Sequence, residues 1–209
     1  MIGPSSSHTA GAVRLGLLAR NIYKNDFKKV IFKLYNSYAH TGKGHGTEKG
    51  LLAGVLGLSV DDRRIKNIFE SEIADKVEYE FEYADNFKRH PNAVDITFIG
   101  DNNMFIQGDS VGAGEIAIRK INDFNVKLTG KFNTILLVYK DMPGMISQVS
   151  SILQYHNLNI AFLNCDRSAK GQEASMVIGI DGSISSEIIE IIEEIPEVYF
   201  VSYIEKLEN

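Results

Sequence analysis

The sequence predicts an α+β protein built from two unlike halves, and three observations carry that prediction. Residues 133–209 read as six elements in the order β-α-β-β-α-β, the split βαβ arrangement of a ferredoxin-like domain. The first half mixes a strictly alternating strand with amphipathic helical stretches. Between them, Ile121 to Lys131 is polar, ends in Thr-Gly-Lys and precedes the change of pattern. The expected division is therefore a first domain over 1–121, a linker over 122–132 and a second domain over 133–209.

In the first half, Ala12, Val13, Leu15, Leu17 and Leu18 mark an opening helix, and Lys29 to Tyr35 a strand. Thr41-Gly-Lys-Gly-His-Gly-Thr47 reads as a glycine-rich loop, followed by a helix with Leu51, Leu52, Val55 and Leu56 on its apolar side. Asp61 or Asp62 is placed to cap a helix carrying Ile65, Ile68 and Phe69. Val77, Tyr79, Phe81 and Tyr83 alternate with Glu78, Glu80 and Glu82, a strand whose glutamate face reads as solvated. Val94 to Ile99 and Met104 to Gln107 suggest a hairpin around Asp101-Asn102-Asn103.

The second half is more regular. Thr134 to Tyr139 is an apolar run of strand length, and the break Asp141-Met-Pro-Gly144 follows it. Met145, Val149, Ile152 and Leu153 repeat at helical spacing. Leu158 to Leu163 and Met176 to Ile180 read as strands. A second helix starts near Ser185 or Ser186, carries Ile188, Ile191, Ile192 and Ile195, and stops at Pro196. Val198 to Ile204 is the last strand. Both helices should pack on one face of an antiparallel sheet.

Composition narrows the function. The chain has 209 residues, 44% hydrophobic and 23% charged, which suits one or two globular domains. A net charge of −5 argues against a nucleic-acid surface. No apolar run approaches the roughly 20 residues that span a bilayer, and Arg14 and Arg20 interrupt the first apolar stretch, unlike a signal peptide. The single cysteine, Cys165, excludes an internal disulfide framework, fits a reducing cytoplasm, and cannot by itself hold an iron–sulfur cluster.

Four motifs could carry chemistry. Gly3-Pro-Ser-Ser-Ser-His-Thr9 sets Ser5, Ser6, Ser7 and Thr9 around His8 just before a helix, where free backbone N–H groups favour an anion. The plain alternative is a cap, Ser7 or Thr9, beside a surface histidine. Thr41 to Thr47 puts Lys43 and His45 among three glycines that let a ligand approach the backbone; it is not a phosphate-binding P-loop, and a flexible turn would look the same. His8 and His45 together suggest proton transfer near neutral pH more than a metal site. His90-Pro-Asn92 and Ser110-Val-Gly-Ala-Gly114 read as a turn and a strand bulge unless they serve a ligand. In the second half, Asp141, Gly144 and Met145 stand at a strand-to-helix corner and Asn159 opens the next strand.

These four motifs, in this order, resemble the β component of bacterial iron–sulfur L-serine dehydratases, with Ala113 standing where the family usually has a third glycine. Residues from about Asn133 to Glu205 resemble an ACT domain, the amino-acid-sensing module of many metabolic enzymes, through Asp141-Met-Pro-Gly144 and Asn159-Ile-Ala161. The resemblance implies an allosteric-substrate-binding-like first domain and an L-serine ammonia-lyase working as two chains. The α partner supplies the cysteines for a 4Fe-4S cluster, one iron acts as Lewis acid on the serine hydroxyl, and aminoacrylate decays to pyruvate and ammonia. The cluster is thus expected on the α subunit and none on this chain, which alone would be inactive.

By the same resemblance, His45 and His8 are the catalytic candidates, and Ser5, Ser6, Ser7, Thr9 and Lys43 the substrate-binding ones. Asp141, Gly144, Met145 and Asn159 would meet an amino-acid effector, and the ACT domain would self-associate. Family members usually carry a first strand ahead of the opening motif, which Met1 here nearly abuts, and its loss would leave a sheet edge unpaired. The competing expectation is a stand-alone amino-acid-sensing module or the regulatory fragment of a phosphoglycerate-dehydrogenase-like enzyme. Against the fragment, the chain has no Gly-x-Gly-x-x-Gly nucleotide fingerprint.

Overall fold

The computed structural model describes residues 6–208 and divides into two compact units, 1–122 and 123–209. In unit 1, one turn of π-helix (Ser6–Ala10) runs straight into α1 (Gly11–Ile22). Then come β1 (Phe27–Tyr35), α2 (Ser37–His45), α3 (Thr47–Val55), a 3-10 helix (Arg63–Glu70), β2 (Glu78–Ala84), β3 (Ala93–Gly100), β4 (Met104–Gly112) and β5 (Glu115–Ile121). These strands lie in the order β2-β1-β3-β4-β5. β1 and β2 are parallel, so the chain between them must cross over, and α2, α3 and the 3-10 helix make that crossover. The other neighbours in this unit are antiparallel.

α1 and α3 cross at glycines. A Cβ on Gly54 would fall 2.2 Å from the Val13 carbonyl oxygen, and one on Gly16 would fall 2.5 Å from that of Leu51. Backbone thus meets backbone, and the apolar faces of both helices (Leu15, Leu18, Leu51, Leu52) are fully buried. Asp62 starts the 3-10 helix by accepting the Arg64 N–H at 2.9 Å. Hydrogen bonds from the Arg64 side chain and then that N–H hold its carboxyl down to about 2. The solvated face expected for β2 is there, with Glu80 and Glu82 meeting Lys29 and Lys33 on β1.

Unit 2 contains β6 (Phe124–Leu128), β7 (Asn133–Lys140), α4 (Met145–Tyr155), β8 (Ile160–Arg167), β9 (Glu173–Ile180), α5 (Ser186–Glu193) and β10 (Val198–Ile204). Strands β7 to β10 form an antiparallel sheet in the order β10-β7-β9-β8. Ile135, Leu137, Tyr139, Met176 and Ile178 close one core with Met145, Val149, Leu153, Ile188 and Ile192 of the two helices. This is the βαββαβ fold expected for residues 133–209.

Three local expectations change. The glycine-rich loop 41–47 is mostly helix: α2 runs to His45, and only Gly46, at φ 74°, breaks it before α3. Gly42 is buried inside α2, where an added Cβ would lie 3.3 Å from Thr47 and 3.4 Å from Leu34, so tertiary packing overrides the poor helix propensity of Gly42 and Gly44. The 122–132 segment is not a bare linker, because it holds β6, whose Phe124, Val126 and Leu128 are buried while the strand packs on β8 and β9. Asp166 on β8 accepts the Asn125 N–H at 2.8 Å. Finally, α1 has no side-chain cap: neither Ser7 nor Thr9 fills that role, and the π-turn leads into the helix instead.

Candidate active site

The π-turn, α2, the 90–92 turn and the end of β4 converge, and they carry described residues of all four motifs. Thr9 donates its hydroxyl to the His45 carbonyl at 2.8 Å, tying the first motif to the second. The Ser7 carbonyl accepts two hydroxyls, Tyr38 Oη at 2.8 Å and Ser110 Oγ at 2.9 Å, which brings in the fourth. Ser110 N–H in turn donates to the Asn92 carbonyl at 3.0 Å, and Tyr38 N–H to that of Pro91 at 3.3 Å, which brings in the third. Gly11 is required where Ser110 passes, since a Cβ there would lie 2.2 Å from Ser110 Oγ.

Inside this frame the His8 ring sits between two others, 5.2 Å from that of His45 and 5.3 Å from that of Tyr38, centroid to centroid. Its Nε2 meets Thr41 Oγ1 at 3.0 Å and Ser37 Oγ at 3.3 Å. The Thr41 hydroxyl gives its proton to the Ser37 carbonyl at 2.8 Å. His8 is half-buried and His45 exposed. Burial, and then repulsion from His45, lower the His8 pKa below its ordinary 6.5. Burial drives the Tyr38 phenol well above its usual range, so it stays a neutral donor.

A stability prediction follows from His8. Its folded pKa lies below the unfolded one, so between the two the unfolded chain binds more protons. Stability is thus intact above the unfolded value and falls as pH drops through that window. In urea titrations at about pH 7.5 and 5.5, wild type should lose stability that His8→Gln retains. Equal losses in both proteins would contradict the burial of this imidazole.

The other expected site residues are placed as follows. Ser5 lies outside the described residues. Ser6, the first residue of the π-turn, is exposed. Lys43 is exposed, with its ammonium 5.3 Å over the Tyr83 ring. Ser37, Tyr38 and Ser110 Oγ contribute contacts that sequence reading did not assign. Their spacing from His8 is long-range, and only the hydroxyl richness of the stretch hinted at it.

In unit 2, the Asp141 carboxylate accepts the Gly171 N–H at 2.9 Å, and Gly144, at φ 98°, opens α4. Met145 is 2% exposed, so its side chain belongs to the core and not to a ligand surface, a correction to the effector set. Asn159 is exposed and donates to Asp181 at 2.7 Å. The backbones of Asp141 and Asn159 bond to Gln172 and Asp181, at opposite ends of β9. That strand spans about 25 Å at about 3.3 Å per residue, so one copy does not bring the two together. A pocket of about 580 Å³ at the Asp141 end is lined by Lys140, Ser168, Gly171, Gln172, Glu173 and Tyr199. Among the described residues, no group of three or more His, Cys, Asp or Glu is placed to hold a metal, and Cys165 is exposed on β8. This donor set does not fit an iron–sulfur cluster.

Comparison with known proteins shows the family. A family described as "Serine dehydratase beta chain" matches residues 1–120, which hold all four motifs. The chain is 35% identical to the "Probable L-serine dehydratase, beta chain" of Bacillus subtilis, covering 98% of this chain and 93% of that one. It is 37% identical to the "L-serine dehydratase, beta chain" of Peptoniphilus asaccharolyticus, over 98% and 94% of the two chains. Similarity to D-3-phosphoglycerate dehydrogenase of Bacillus subtilis is weaker, 22% over 93% of this chain but only 37% of the dehydrogenase. The chain belongs to the serine dehydratase beta chain family.

Proposed function

We propose that this chain is the β subunit of an L-serine dehydratase, shaping the serine pocket beside an α chain that bears the iron–sulfur cluster. The observation that supports it most is the His8–His45 pair, drawn from two distant motifs and held by Thr9, Tyr38 and Ser110. Conversion of serine to pyruvate and ammonia begins with loss of the α-proton, and a histidine accepts such a proton near neutral pH. His45 is the acceptor, because its ring is exposed to an incoming substrate. His8 stays neutral behind it, its pKa lowered by burial and by the neighbouring His45. Thr9 holds the turn with its hydroxyl and Ser7 with its main-chain carbonyl, and the hydroxyls of Ser6 and Ser7 are assigned to the substrate carboxylate. Lys43 adds a cation at the rim.

Unit 2 is assigned an effector-sensing and self-associating role. Asp141 and Asn159 lie at opposite ends of one sheet, so two copies paired antiparallel along the edge strand β8 would set Asp141 of one beside Asn159 of the other. Sedimentation should then show concentration-dependent dimers, and a monomer at all concentrations contradicts it. No helix in the described residues is long and apolar enough to cross a membrane. We assign the enzyme to the cytoplasm, whose reducing conditions suit a partner rich in free thiolates. Anaerobic size-exclusion of this chain with a cysteine-bearing α chain tests the assembly. Co-elution is expected, and separate elution contradicts the subunit role.

A further inference from the structure

One residue at the edge of the site adopts a backbone conformation that its side chain explains. Asn36 sits at φ 51°, ψ −118°, a region that glycine enters freely and other residues rarely do. It immediately precedes α2, where an asparagine ordinarily caps the helix by accepting an N–H of the first turn. Asn36 makes no such bond. Its amide is turned the other way, into the 86–90 loop. Nδ2 donates to the carbonyls of Asn86 at 3.0 Å, His90 at 3.2 Å and Arg89 at 3.3 Å, two hydrogens shared among three acceptors. Oδ1 accepts the Asn86 N–H at 2.8 Å.

At the tip of the clamped loop Phe87 is 99% exposed, and the loop turns on the Arg89 N–H to the Asn86 carbonyl at 2.9 Å and the Lys88 N–H to Asn86 Oδ1 at 3.0 Å. Its far end is tied by Arg89, which pairs with the buried carboxylate of Asp95 at 2.9 Å. Beyond Arg89 the chain enters the turn whose Pro91 carbonyl accepts Tyr38 N–H and whose Asn92 carbonyl accepts Ser110 N–H. On the other side of Asn36 is α2 itself, with Ser37, Tyr38 and Thr41 all against His8. Asn36 is therefore the joint between the two walls of the histidine site, and touches neither histidine.

We propose that Asn36 is a positioning residue, whose side-chain amide locks the 86–92 turn to the start of α2 and so fixes Ser37, Tyr38 and Thr41 against His8. This rests on the serine dehydratase reading only where activity is measured.

Asn36→Gly separates the amide from the backbone, since glycine accepts the positive φ at no cost but removes all four side-chain bonds. Imidazole NMR of the isolated chain reads the effect without any partner. The variant should unfold cooperatively like wild type, yet its His8 titration should move up toward the ordinary histidine value as Tyr38 and His45 cease to enclose that ring. In the assembled enzyme, kcat should fall about ten- to a hundred-fold with little change in KM. A His8 titration identical to wild type overturns the proposal, whatever the activity. If wild-type enzyme itself proves inactive on serine, the dehydratase reading fails and the NMR result still decides the role of Asn36. If Asn36→Gly does not fold, Asn36→Ser, which adds no charge and shortens the side chain away from the 86–90 carbonyls, is read by the same two measurements against the same outcomes.

Discussion

His45→Ala should lower pyruvate formation by the assembled enzyme by about 10²- to 10⁴-fold, the range a positioned general base contributes. Thermal unfolding of the isolated chain should barely move. The separation of the two effects is built into the site. Thr9 binds the main-chain carbonyl of His45 and not its ring, so alanine keeps that tie. The ring is exposed, and its removal leaves no cavity in the core. Serine turnover by the reconstituted variant, beside a melting curve of the same preparation, checks both halves. Full activity would remove His45 from the chemistry, and a large loss of stability would make its role structural.

Gly54→Ala should have the opposite signature, a large stability loss from a substitution that touches no reacting group. Alanine improves helix propensity over glycine by about 1 kcal/mol. Against that gain, the new Cβ would stand 2.2 Å from the Val13 carbonyl oxygen and 2.8 Å from the Gly16 Cα. Both neighbours are backbone, so no rotamer change relieves the clash and the helices must move apart. Overpacking of this kind costs typically 1–3 kcal/mol and sometimes more. With Leu15, Leu18, Leu51 and Leu52 all fully buried around the crossing, the cost falls at the upper end of that range, and we expect a net loss of about 2 kcal/mol in chemical denaturation. A neutral or stabilised variant would mean that α1 and α3 do not cross at these glycines.

The second half of the chain was legible almost element by element because its folding signals are local. Isoleucines and leucines recur at helical or strand spacing, and Gly144, Gly182 and Pro196 punctuate them. The first half was harder, and its failures have identifiable physical causes. α2 contains Gly42 and Gly44, which favour a loop, and it is helical with Gly42 wedged between Leu34 and Thr47. β6 hid in a polar stretch, since a strand with three buried and two exposed residues offers too short a pattern to separate from a linker.

The site shows the same contrast. Each motif could be seen, but not that Thr9 would reach the carbonyl of His45 or that two hydroxyls would meet on that of Ser7. Such contacts join residues far apart in sequence and leave no local periodicity. Met145 was misread for a related reason: the first residue of a helix at a promising corner points into the core, and only the packing reveals it.

The measurement that bears most directly on the central claim is anaerobic pyruvate production from L-serine by a cysteine-bearing α chain, with and without this protein. A histidine pair that completes the pocket predicts turnover by the mixture far above that of α alone, and none by this chain alone. Equal rates with and without it, or dehydration of serine by this chain unaided, would contradict the account.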